Sequence, residues 1–115
     1  MLALGIPVAA ASDNVRDAFY AYGDLDTWEV IVQTLRLAHL DNSYGTAVSL
    51  GTRAAAEIMG LPSHGNLEPG SKAELVVFPA RNWSELFSRP WRERKLWRGT
   101  GWREAELPEF SELRF

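Results

Sequence analysis

The chain has 115 residues, 46% of them hydrophobic and 23% charged, with a net charge of −3. That suffices for one modest domain with a core of its own, and it excludes a disordered tail or a general polyanion binder. Cysteine is absent, which excludes disulfides, thiolate metal sites and a cysteine nucleophile, and fits a reducing, cytoplasmic setting.

Leu2 to Ala11 is continuously apolar or small, without alternation. Such a run predicts a strand buried on both faces, as in a parallel sheet covered by helices. Pro7 suits the first paired position of that strand rather than its middle. The run lacks the basic stretch of a secretory signal, and nothing in the chain approaches the roughly 20 apolar residues of a membrane span. No membrane partner is expected. One parallel strand has no partner strands in its own half, a first sign that the chain is a piece of something longer.

Asn14 to Leu25 predicts a loop carrying Phe19, Tyr20 and Tyr22, closed by Gly23-Asp24. Asp26-Thr27-Trp28-Glu29 has the spacing of a capping box. Trp28, Ile31, Val32, Leu35 and then His39 recur at helical spacing and give that helix one apolar face. "DNSYG", Asp41 to Gly45, breaks it. A second helical region is clearest in "TRAAAEIMG", with Thr52 placed to cap it and Gly60 to end it in a left-handed turn. Ser63 to Lys72 is turn-rich, with Pro69-Gly70 suited to a type II turn. Ala73 to Phe78 predicts a strand and Trp83 to Phe87 a short helix. "RERKLW" and "WREAEL" flank "RGTG" as a hairpin. From Pro108 no pattern is evident, and composition shifts most clearly near Pro62.

Asp13 follows the apolar run directly and is the leading candidate for chemistry. In a parallel α/β barrel, active sites lie at the C-terminal ends of the strands. A carboxylate there can bind a divalent metal and take a proton from water. An Asp that caps the turn through Asn14-Val15 is the commoner use of the residue. His39 and His64 lie 25 positions apart with no further ligand at close spacing, and read as structural or solvated. No nucleophile elbow, P-loop or Rossmann glycine pattern occurs. Arg89, Arg92, Arg94, Lys95, Arg98 and Arg103 interleave with Trp91, Trp97 and Trp102, types that meet phosphates and stack on bases. A hairpin, however, alternates its faces, which directs Trp97 to the core and Arg94 and Arg98 to solvent. With an acidic total charge, no nucleic-acid partner is expected. Phe19 and Tyr20 either pack the loop or wall a pocket for a planar substrate.

These segments resemble a known family. "GIPVAAASDNVRDAFYAYGDLD" is similar to the last barrel strand and following loop of metal-dependent amidohydrolases, closest to the cytosine deaminase branch. "GTRAAAEIMGL" resembles the helix after that strand. "GNLEPGSKAELVVFPA" resembles the segment where the chain leaves the barrel for a small β-sandwich, and "RKLWRGTGW" resembles its closing hairpin. The resemblance runs from about Gly5 to Trp102, and its S-D-N-V-x-D stretch points to the deaminases.

The resemblance implies an α/β fold. Residues 1–62 would be the C-terminal portion of an amidohydrolase (β/α)8 barrel, the last strand plus helices. Residues 63–115 would be the β strands of the small β-sandwich domain. It implies hydrolysis of C–N bonds, deaminating cytosine or a related amino-substituted heterocycle, with Asp13 as catalytic residue and metal contact. Asn14 and Phe19 would bind the substrate. A divalent metal, zinc or iron, is implied for the complete enzyme and none for these residues alone. Partners would be a small heterocycle and a missing N-terminal barrel segment, with self-association through open strand edges. Departures are Asn14 where many cytosine deaminases carry a second acid, Glu74 for an Asp, and Asp17-Ala18 for Asp-Pro. The family's His-x-His is also absent, and one carboxylate cannot hold a catalytic metal. The competing expectation is a truncated, non-enzymatic remnant acting as an interaction or oligomerisation module.

Overall fold

A computed structural model describes residues 2–89 and 93–104. The first regular helix, α1 (Thr27–Leu37), starts where the cap signal lies: the Asp26 carboxylate accepts the Trp28 amide at 2.9 Å. Glu29 adds negative charge to the first turn, where the helix dipole favours it. Ile31 and Leu35, one turn apart, are the buried residues of its apolar face.

At the far end, the Leu40 amide bonds the Leu35 carbonyl at 2.9 Å and the His39 amide bonds that of Arg36 at 3.4 Å. This is a Schellman closure, with His39 in the left-handed position at φ 54°. The break before the next helix is shorter than "DNSYG": α2 (Tyr44–Leu50) already includes Tyr44 and Gly45. Helix α3 (Arg53–Ile58) follows at once. Thr52 stands at its start, but its hydroxyl donates back to the Val48 carbonyl at 2.8 Å and caps nothing, because α2 ends close behind it. Gly60, at φ 70°, closes α3 with the same pair of bonds, from Gly60 to Glu57 and from Leu61 to Ala56.

Among the described residues three strands form one antiparallel sheet in the order β1 (Glu74–Val77), β2 (Lys95–Arg98), β3 (Gly101–Arg103). Leu75 faces Trp97, and Trp97 faces Trp102. The two-residue β2–β3 turn puts Gly99 at φ 65°, which glycine accepts without a Cβ clash. Trp91, Arg92 and residues 105–115, to which the hairpin and tail expectations extend, lie outside the described residues.

Helix α4 (Trp83–Ser88) lies between β1 and β2 in the chain and packs on the helices. Phe87 is 6% exposed and packs with Ile31, Leu35 and Ala47. Its ring lies 5.0 Å from Trp28 and 5.3 Å from Tyr44, while Phe78 sits 4.6 Å from Trp28. The core is therefore built from both sides of Pro62.

The strand expected over Leu2–Ala11 is not found, and this corrects the sequence reading. Leu2–Leu4 forms a 3-10 turn, and residues 6–12 carry no ladder. A single backbone bond, Ala10 amide to Leu50 carbonyl at 3.0 Å, ties the stretch to the helices. A parallel strand needs a neighbour to hydrogen-bond, and no parallel pair occurs among the described residues. The observed content is mixed α and β with one small antiparallel sheet. No described helix is long and apolar enough to cross a membrane.

Candidate functional site

The loop between the apolar run and α1 is held by polar contacts instead of burial. The Arg16 amide bonds the Tyr22 carbonyl at 3.0 Å, its Nε donates to the Gly23 carbonyl at 2.9 Å, and its Nη2 pairs with the Asp24 carboxylate. One turn inside, Asp17 Oδ1 accepts the amides of Phe19 and Tyr20, both at 2.9 Å, and the Asp17 amide bonds the Tyr20 carbonyl at 3.1 Å. Side-chain oxygens of Asp make such turns readily. Asp13, Arg16 and Leu25 all take left-handed backbone, at φ 60°, 50° and 55°. For a non-glycine residue that costs about 1–3 kcal/mol and occurs where surrounding contacts impose it.

Loop and α1 enclose an open concavity of about 710 Å³. The sequence-predicted residues Asp13, Asn14 and Phe19 all line it. Asp13 is exposed and Asn14 half-buried, and Phe19 is 88% exposed. Tyr20 and Tyr22 brace each other edge to face at 5.3 Å. The opposite wall was not anticipated. It comes from α1, as two rows of residues one turn apart: Glu29, Gln33, Leu37 and Val30, Thr34, Ala38. The helical repeat that marked the apolar face of α1 also fixes these rows, but nothing in the sequence says that they face a loop.

The histidines stay apart from this site. His39 ends α1 on the surface. His64 contacts the Ser63 hydroxyl at 3.4 Å and the Glu74 carboxylate at 3.9 Å. Two cations of the basic stretch, Arg94 and Arg98, pair with carboxylates of the chain itself. Arg94 was expected on the solvated face, but its side chain is only 18% exposed and grips both Asp26 oxygens, at 2.9 and 2.7 Å. Asp26 thus holds the start of α1 and a long-range cation at once, which draws Arg94 inward. Arg98 is exposed yet bonds Glu74 at 3.0 Å, and Trp97 meets Trp102 edge-on at 5.2 Å. Away from the concavity, on α4, hydrogen bonds from the Arg81 side chain and then its amide pull the Glu85 carboxyl below its usual range. The same contact raises Arg81.

Residues 1–98 match the amidohydrolase family. The chain belongs to that family. Amidohydrolases are hydrolases of C–N bonds and generally use a divalent metal. The described residues of this amidohydrolase chain do not by themselves fit such an ion: no three His, Asp or Glu side chains among them come together to hold one. Over 113 residues, 98% of its length, the chain is 45% identical to the pterin deaminase of Rhizobium rhizogenes (strain K84). Over 79 residues, 67% of its length, it is 33% identical to the N-isopropylammelide isopropyl amidohydrolase of Pseudomonas sp. (strain ADP). It spans 26% of the first relative and 20% of the second. No solved structure matches it.

Proposed function

We propose that this chain supplies the proton-transfer carboxylate and one substrate wall of an enzyme that hydrolytically removes an amino group from a nitrogen heterocycle. Asp13 takes a proton from the attacking water and returns it to the departing amino group. A ring C–NH2 and water thus become a ring C=O and ammonia. Asn14 hydrogen-bonds the polar edge of the ring, and Phe19 covers its flat face. In the complete enzyme Asp13 would also contact a divalent metal, zinc or iron, which would need further ligands from residues other than those described. On this reading residues 1–62 finish the family's barrel and residues 63–115 return to its small β domain. The setting is cytoplasmic.

The observation that carries the proposal is the shared concavity of Asp13, Asn14 and Phe19, whose volume of about 710 Å³ suits a small-molecule site. The relative named as a pterin deaminase makes a bicyclic pterin the first ring to test, with cytosine, a smaller ring, beside it. The test uses the whole natural polypeptide and follows ammonia release from each. Asp13→Asn is expected to lower kcat by about 10²–10⁴-fold while the unfolding midpoint stays put. An undiminished kcat removes Asp13 from the chemistry.

A second reading, an interaction or oligomerisation module without activity, draws on exposed apolar side chains such as Leu4 and Leu67, at 78% and 82%. It expects concentration-dependent self-association in light scattering together with no ammonia from either ring. The enzyme reading expects turnover.

A further inference from the structure

We propose that Arg16 is a positioning residue that sets how the aromatic loop meets a planar substrate, and thereby the ring size the concavity accepts; this rests on the deaminase reading above. Arg16 closes the loop at its base. Its amide, Nε and Nη2 engage Tyr22, Gly23 and Asp24 in turn. The Arg16 side chain does not line the concavity, whereas Phe19, Tyr20, Gly23 and Asp24, which its clasp spans or grips, do. It acts through them.

The clasp needs an arginine. A carbonyl and a carboxylate are engaged by separate nitrogens of one planar fork, and a lysine ammonium cannot reproduce that geometry. At the stem, Gly23 takes φ 90° and lies against Val15, whose side chain an added Cβ would approach to 3.3 Å. With the base clasped by Arg16, the Asp17 turn at the tip carries Phe19 into the concavity it shares with the α1 wall. A bicyclic ring reaches further along that wall than a single ring, so its binding depends more on where Phe19 stands. Asp13 lies before the clasp, which separates the height of the wall from the proton transfer.

The test compares wild type, Arg16→Ala and Arg16→Lys in the whole natural polypeptide, with pterin and cytosine as substrates. Arg16→Ala is expected to raise KM for pterin by about tenfold or more and KM for cytosine by less than about threefold, with kcat for both within about threefold. Arg16→Lys, which keeps a charge near Asp24 and loses the bond to Gly23, is expected to fall between. Hydrogen exchange at the amides of residues 16 and 20 should quicken by about tenfold in Arg16→Ala. Unchanged KM for pterin, equal KM changes for both rings, or unchanged exchange would overturn the proposal. A wild type that releases ammonia from neither ring defeats the deaminase reading and this one together. An active wild type whose KM values ignore Arg16 defeats this one alone.

Discussion

The helical half of the molecule and the loop that precedes it are held by different forces. Residues 26–60 bury Ile31, Leu35, Ala47, Leu50 and Ala56, and Phe87 of α4 packs with the first three of these. Residues 5–25 bury no side chain. They keep their shape through the Arg16 clasp, the Asp17 turn and one bond to Leu50. Packing is cooperative and resists local change, while a few part-exposed polar contacts open at low free energy. The candidate site therefore lies where the backbone is strained and weakly tied, against a helix that is neither.

The sharpest way to break that contrast is a pair of matched truncations. Phe87→Ala removes a ring that is 6% exposed and touches Trp28 and Tyr44, and is expected to cost about 3–5 kcal/mol of unfolding free energy. Phe19→Ala removes a ring that is 88% exposed and should change stability by no more than about 0.5 kcal/mol. Denaturant titration of both reads the difference. If Phe19→Ala costs as much as Phe87→Ala, the loop is packed after all.

A smaller effect sharpens the boundary between turn and scaffold. Gly65 sits at φ 70°, where a Cβ would stand 2.6 Å from the backbone carbonyl of Thr52 and 2.8 Å from the Arg53 amide nitrogen. Neither backbone atom can swing aside as a side chain would. Gly65→Ala is expected to cost about 1–3 kcal/mol by overpacking, read as a lower denaturant midpoint at constant slope. A neutral outcome would mean that the turn after Pro62 floats free of α3.

Legibility followed the range of the forces. Helix α1, helix α4, strand β1 and the hairpin were readable because caps, a 3.6-residue repeat and turn glycines act over a few residues. The N-terminal run was not, since an apolar sequence calls for burial without saying what provides it, and a strand forms only beside another. Arg94 was misplaced because its partner, Asp26, lies 68 positions away and alternation along a hairpin is silent about distant charges. At the candidate site, position after an apolar run raises Asp13 and aromatic content raises Phe19, each beside a commoner reading as a turn or packing residue; resemblance adds Asn14 and the roles. The α1 wall and the Arg16 clasp depend on how loop and helix fold against each other, which local pattern does not encode.

The smallest expected effect lies inside the packed half, at two helix ends built alike. Helices α1 and α3 both finish in a Schellman closure, but one puts His39 and the other Gly60 in the left-handed position, at φ 54° and 70°. A Cβ crowds the following carbonyl there, and glycine avoids that at about 1 kcal/mol advantage. His39 is exposed, so removing its ring leaves no cavity. His39→Gly is therefore expected to stabilise the protein by about 1 kcal/mol, somewhat less once the added freedom of the unfolded chain is counted. Gly60→Ala should destabilise by a similar amount, and opposite shifts of the two denaturation midpoints would check both. If His39→Gly lowered the midpoint instead, the imidazole would be making a contact worth more than the strain it imposes.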